Sequence, residues 1–132
     1  MTASTDIDRI RATVQRHDEL ELAILFGSLA RGTAGPDSDV DLAVSARGPL
    51  SADARITLIE ELAAATGRPV DLVDLARAGE PLLGEIVTSG VRLTGSDEAH
   101  ARFLTRHLIE QADFLPYRDR ILAERRKSWI GG

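Results

Sequence analysis

Cysteine is absent from the 132 residues, which excludes disulfides, thiolate catalysis and any cysteine-ligated zinc or iron-sulfur site. No apolar run is longer than Leu22 to Phe26, far short of the ~20 residues that a membrane span needs. Residues Met1 to Ile10 are polar with alternating charge, so no signal peptide is expected. There is no internal repeat, no low-complexity stretch and no linker long enough to separate domains. Lysine is nearly missing too, with arginine supplying all but one of the 16 basic residues, which reads as base composition rather than physics. These absences predict a soluble cytoplasmic protein that neither enters a membrane nor depends on an oxidising compartment.

What is present is ordinary for one globular domain. Hydrophobic residues make up 43%, charged residues 28%, and the mean hydropathy is -0.09, values that argue against disorder, collagen and coiled coil. Folding a chain of this length buries roughly two-thirds of its extended surface, enough for one core. The charge is uneven. Residues 1–96 hold nine arginines against fifteen acidic side chains, a net of -6, and residues 97–132 hold seven basic and six acidic, a net of +1. An acidic body does not suit direct nucleic-acid binding, which wants a dominant basic stripe, but it suits a site that gathers cations.

Periodicity places the elements. Ser4 or Thr5 caps a first helix carrying Ile7, Ile10 and Val14 at helical spacing, with Asp6 and Asp8 in its opening turn. Leu22 to Phe26 is continuously apolar, as in a strand covered on both faces. After Gly27-Ser28, Leu29 to Ser38 reads as a helical turn and loop, and Asp39 to Val44 alternates as a second strand. Ser51 caps a helix to about Thr66, with Ile56, Ile59 and Leu62 on one face and Gly67 and Pro69 as its stop. Val70 to Val73 is a third strand, Pro81 to Ser89 a short helix, and Val91 to Leu93 a small edge strand. Ser96 or Asp97 caps a last helical region, striped by Phe103, Leu104, Leu108 and Ile109 and broken or kinked by Pro116.

Three features carry chemistry. Gly27-Ser28 ends a buried strand, Asp39-Val40-Asp41 opens the next, and Asp71 lies in the third. Side chains two apart on a strand share a face, roughly 6–7 Å apart. Asp39 and Asp41 therefore stand together while Val40, Leu42 and Val44 face the core. Two such carboxylates repel unless a cation bridges them, and a hard divalent ion with oxygen ligands, most often Mg2+, is the natural partner. A third carboxylate would complete a clamp for two ions, a geometry that neutralises a triphosphate and activates an attacking hydroxyl. Gly27 lets backbone approach a phosphate, Ser28 offers N–H and hydroxyl, and Arg31 lies in the turn that follows. Asp71 and Asp74 point to opposite faces of a regular strand. Asp71 is preferred because Val70 and Leu72 then face the core, whereas Asp74 suits a cap.

Gly27-Ser28, ten residues, then Asp39-x-Asp41 resembles the signature of the nucleotidyltransferase superfamily that includes DNA polymerase beta. Arg31-Gly32 and the run Ser38 to Leu42 resemble its minimal members, and Val70 to Asp74 resembles the segment that supplies the third carboxylate. Gln111 to Pro116 resembles the C-terminal helices of the minimal enzymes that act as antitoxins beside HEPN ribonuclease toxins. The resemblance implies an α/β (α+β) nucleotidyltransferase fold, a mixed sheet of about four strands with packed helices. Residues 1–96 would form the core and 97–132 a helical extension of the same domain. It also implies transfer of AMP from ATP, with Mg2+ (two ions), onto a tyrosine of a HEPN toxin, releasing pyrophosphate. Asp39 and Asp41 would hold both metals and Asp71 would ligate the catalytic one and help deprotonate the acceptor. Gly27 and Ser28, with Arg31 and Ser38 nearby, would bind the nucleotide. The alternatives are a small-molecule hydroxyl as acceptor, or an antitoxin that binds its toxin and neutralises it by occlusion.

Other residues have plainer readings. Arg102 and His107 match the spacing of a HEPN ribonuclease motif by coincidence, since that fold is all-helical and Ile109 stands where its target tyrosine would be. His17, His100 and His107 read as surface residues without metal spacing. Arg125-Arg126-Lys127 reads as a solvated helix end, Tyr117 as an aromatic resting on the domain, and Trp129 as a contact for a partner.

Overall fold

The computed structural model describes residues 3–131, with side chains described for residues 5–113 and 120–123. Nine elements follow in order: α1 (Ala3–Gln15), β1 (Leu20–Phe26), α2 (Gly27–Arg31), β2 (Val40–Ala46), α3 (Ala52–Thr66), β3 (Val70–Asp74), α4 (Leu82–Ser89), β4 (Val91–Gly95) and α5 (Asp97–Gly131). The four strands form one mixed sheet in the order β3-β2-β1-β4. β1 pairs antiparallel with β2 and β4, and β2 pairs parallel with β3 through the crossover helix α3. No helix among the described residues is long and apolar enough to cross a membrane.

The continuous apolar run of β1 has its expected cause. Ala23 and Leu25 face a layer made by Ile10 and Val14 of α1, Leu29 of α2, and Leu58 and Leu62 of α3. Leu22, Ile24 and Phe26 face the opposite layer, made by Leu83 and Ile86 of α4, Phe103 of α5, and Leu75 and Ala78. β2 sends Val40, Leu42 and Val44 into the first layer, and Ala43 into the second. Its odd-numbered face therefore lies under α4 and α5. Asp39 and Asp41 belong to that face.

Local signals also hold at α3. Ser51 Oγ accepts from the Ala54 N–H at 3.1 Å, and Gly67 ends the helix in the left-handed conformation. Ser96 Oγ likewise accepts from Ala99 N–H at 3.1 Å at the start of α5.

Five expectations are corrected. Ser4 and Thr5 lie inside α1, which already begins at Ala3, so neither caps it from outside. The buried seam of α3 is Leu58, Leu62 and Thr66, flanked by Ile59, and Ile56 is 52% exposed because the helix turns it away from the sheet. On α5 the seam is Ala99, Phe103 and His107 at spacing four, so Leu108 and Ile109 point outward, 63% and 59% exposed. α5 runs on past Pro116, so of the break or kink expected there the break is absent. Finally, His107 is buried at 9% exposure and His17 is largely covered, where both read as surface residues. Tyr117, Trp129 and Arg125-Arg126-Lys127 lie outside the described side chains.

His17 ties the turn between α1 and β1 to α3. Its Nε2 meets Glu61 Oε2 of α3 at 2.7 Å, and its Nδ1 meets Glu19 Oε1 at 3.1 Å. Burial alone would lower the His17 pKa, but the hydrogen bonds and charges of Glu61 and Glu19 outweigh it, so it stands above the ordinary 6.5. The folded state therefore favours the protonated ring. That contribution is fully present below 6.5 and is lost as pH rises through the folded value. We expect the urea midpoint to fall between about pH 6 and about pH 8.5, and that His17-dependent slope to vanish in His17→Gln. An unchanged slope in the variant would assign the pH dependence elsewhere.

Candidate active site

The site is built at one end of the sheet, where the C-terminal end of β1 meets the N-terminal ends of β2 and β3. Phe26 is the last residue of β1 and pairs with Asp41 across the antiparallel ladder. Asp41 in turn pairs with Asp71 across the parallel ladder. Residues in register on neighbouring strands share a face at a separation of about 4.7–4.9 Å between strands. The hydrophobic layer under α4 thus gives way at this end to carboxylates. Asp39, one residue ahead of β2, is exposed, and Asp41 is half-buried.

The electrostatics report the crowding. Burial, then the charges of Asp71, Asp39 and Glu85, push the Asp41 carboxyl above its ordinary range, and Arg31 opposes them. Asp71 therefore belongs to the cluster with Asp39 and Asp41. Asp74 serves the backbone instead. Its Oδ1 accepts the Ala76 N–H at 3.0 Å and caps the turn that leaves β3.

Gly27 meets this cluster from the other side. Its φ of +74° lies in the left-handed region, and it starts α2 directly after β1. A Cβ built there would overlap Asp41 Oδ2 and lie 3.0 Å from Asp41 Cγ, so only glycine lets backbone and carboxylate share this space. Ser28 follows in the first turn of α2, and Arg31 closes the same short helix. Ser38 stands apart in its hydrogen bonding. Its Oγ accepts the Gly35 N–H at 2.9 Å, and its carbonyl accepts from Arg68 at 2.9 Å, so it shapes the loop that leads into Asp39.

Glu85 escaped sequence reasoning. It lies in the first turn of α4, on a helix whose other described side chains are mostly apolar, and its charge reaches Asp41. A lone acidic residue in an apolar helix was the available signal. Arg102 and His107 are engaged elsewhere: Arg102 pairs with Glu98 and Glu21, and His107 with Glu80. Arg106 donates to the carbonyls of Leu75 and Ala78 and ties α5 to the segment after β3.

The donor set fits a hard cation. Asp41 is destabilised as an anion by burial and then by the carboxylates around it, and a divalent ion placed among them would relieve that repulsion. Among the described residues no three His, Asp or Glu side chains converge into a ready-made cage. Mg2+ does not require one, since it is held by one or two carboxylates, its own waters and phosphate oxygens of the substrate.

Residues 8–99 match the family described as Polymerase beta, Nucleotidyltransferase. The protein adenylyltransferase MntA of Shewanella oneidensis is 40% identical over 88 residues, 67% of this chain, and the match spans 63% of that relative's length. Among solved structures, a chain from a toxin-antitoxin crystallised with AMP-PNP is 31% identical, with a TM-score of 0.79 over 91% of this chain and 98% of that one. A chain from the tri-AMPylated Shewanella oneidensis HEPN toxin in complex with MNT antitoxin is 28% identical, with a TM-score of 0.75 over 95% and 99%.

Proposed function

This chain belongs to the Polymerase beta, Nucleotidyltransferase family, and on that premise we propose that it is an antitoxin adenylyltransferase acting on a HEPN toxin. In this reading it transfers AMP from ATP to a tyrosine of the toxin, releases pyrophosphate and so silences a ribonuclease. The observation that carries the reading is the likeness, along nearly the whole chain, to a structure in which a HEPN toxin bears three AMP groups beside an MNT antitoxin. The likeness to a complex with AMP-PNP, an ATP analogue, supports ATP as donor. The acidic body supports a protein acceptor over direct nucleic-acid contact. ATP and a ribonuclease partner both point to the cytoplasm. Residues 1–96 would serve as the catalytic core and 97–132 as its helical extension.

In the mechanism, Asp39 and Asp41 would hold Mg2+, with Asp71 as the third carboxylate. The bound Mg2+ would neutralise the triphosphate and lower the cost of the charge that develops on the leaving pyrophosphate. The Gly27 backbone and Ser28 bind terminal phosphate oxygens beside the Asp41 carboxylate, whose close approach the missing Cβ permits. Arg31 lies close enough to influence Asp41 and adds positive charge on the same side. Asp71 helps to take the proton from the tyrosine hydroxyl. The phenolic oxygen then bonds to the α-phosphorus as the bond from that phosphorus to the bridging oxygen of pyrophosphate breaks.

Intact-mass spectrometry of the protein encoded next to this one tests this. It is co-expressed with the wild-type chain and with the Asp39→Ala, Asp41→Ala double variant. Mass gains in whole AMP units with wild type alone are expected. A neighbour that co-purifies unmodified with both versions would replace the enzymatic reading by occlusion. One that neither binds nor gains mass would turn attention to a small-molecule hydroxyl.

A further inference from the structure

The loop that leads into Asp39 carries Pro36 and Asp37 exposed, yet a largely covered guanidinium holds it. Arg68 sits in the turn between α3 and β3, and its side chain reaches two distant segments. Nε donates to Asp6 Oδ2 of α1 at 3.0 Å, and Nη1 donates to the carbonyls of Gly35 at 2.7 Å and Ser38 at 2.9 Å. The Arg68 and Asp6 side chains are only 11% and 2% exposed.

The base of the arginine is fixed as well. Gly67 turns the chain at a φ of +69°, and the Arg68 N–H donates to Thr66 Oγ1 at 3.2 Å. The next residue completes the grip, because the Pro69 carbonyl accepts the Val40 N–H at 2.8 Å. Residues 35–40 are thus gripped by Arg68 and Pro69 at three backbone positions. The turn also closes on itself, with Ser38 N–H donating to the Gly35 carbonyl at 3.3 Å. Asp39 follows at once.

Stability does not account for this arrangement. Asp6 Oδ1 is buried with no hydrogen-bond partner among the described residues, and a covered ion pair with an unsatisfied oxygen is a poor stabiliser beside a hydrophobic pair of the same volume. What the planar fork supplies is orientation: one group meets a carboxylate on one edge and two carbonyls on another.

We propose that Arg68, anchored by Asp6, is a positioning residue that sets Asp39 against Asp41 by holding the Gly35 and Ser38 carbonyls. Its effect on AMP transfer rests on the reading that these aspartates hold Mg2+ and the triphosphate. Lysine at this position keeps the charge but has a single ammonium, which cannot serve Asp6 and both carbonyls in the geometry of the fork.

The test uses the full chain carrying Arg68→Lys in two measurements. Amide hydrogen exchange of the protein alone follows Gly35, Ser38 and Val40. AMP transfer to the HEPN partner is then titrated with Mg2+. We expect exchange at those amides to quicken roughly tenfold while the rest of the sheet keeps its protection. The Mg2+ concentration for half-maximal transfer should rise by a similar factor, roughly tenfold, with most of the activity restored at high Mg2+. A purely structural role would lower the melting temperature without moving the Mg2+ requirement.

Unchanged exchange at residues 35–40 overturns the proposal, as does faster exchange with an unchanged Mg2+ dependence. If Arg68→Lys does not fold, Asp6→Asn makes the same measurements, since it keeps an oxygen for Nε, removes the charge and puts an amide NH2 in place of the other oxygen. The same directions are expected of it, and unchanged exchange there overturns the proposal equally. A wild-type chain that transfers no AMP removes the adenylyltransferase reading, while the exchange of the unloaded protein still decides whether Arg68 holds the loop.

Discussion

Asp41→Asn is expected to lower AMP transfer by roughly 10³-fold and to raise the melting temperature by roughly 2 °C. The two effects share a cause. Asp41 stands in register with Asp71, and burial together with Asp71, Asp39 and Glu85 pushes its carboxyl above the ordinary 3.8. A raised folded pKa means that the neutral form fits the fold better. That stability is fully present below 3.8 and is lost as pH rises through the folded value. At neutral pH the ionised site is under repulsion, and asparagine imitates the neutral carboxyl at similar volume. The same substitution removes a charge that a divalent ion needs, so the gain in stability accompanies the loss of turnover. Thermal melts and transfer rates on the same preparations check it. A variant that loses activity but melts lower than wild type would show that the carboxylate is bound into the fold rather than held against it.

Gly27→Ala is expected to damage the fold and the reaction together. The backbone at +74° costs an L-residue about 1–2 kcal/mol before any contact is considered. The added Cβ would also overlap the Asp41 carboxylate, so either the start of α2 or the Asp41 side chain must move. A displacement of about 1 Å at reacting groups costs up to ~10²-fold in rate, and we expect a loss of that order. Gly32→Ala separates the causes. Gly32 has a similar φ of +75° but nothing within 4 Å of its would-be Cβ, so it should be destabilised through strain alone with transfer largely kept. Equal losses in the two variants would place the effect in backbone strain and not in the approach to Asp41.

Much of the site was legible along the chain because its signals are short-range. The Gly27-Ser28 pair, the Asp39-x-Asp41 alternation and the Asp71 strand each depend on geometry that repeats within a few residues. So do the Ser51 cap and the Gly67 stop, which the structure places as expected. Alternation puts Asp71 on the face of Asp41, and the parallel register sets the two side by side. Helical faces were read less well. On α3, spacing puts Ile56, Ile59 and Leu62 on one face, whereas the seam is Leu58, Leu62 and Thr66, so Leu62 is shared, Ile59 flanks it and Ile56 alone is turned out. On α5, Leu108 and Ile109 point outward while His107 turns in to meet Glu80. An apolar residue near a seam carries the same local pattern whichever way the helix is rotated, and only the partner surface selects the rotation.

By itself, then, the sequence determined the type and order of the elements, the glycine at the end of β1 and the three aspartates of the candidate site. Each of these is dictated by backbone geometry over one or two turns. Tertiary structure alone decided which further groups surround them. Glu85 arrives from α4, 44 residues after Asp41, and Arg68 joins Asp6 and the loop before Asp39 across separations of 62 and about 30 residues. Contacts of that length leave no periodic trace in a single chain, because any residue of the right charge at the right loop position would look the same until the sheet brings the segments together.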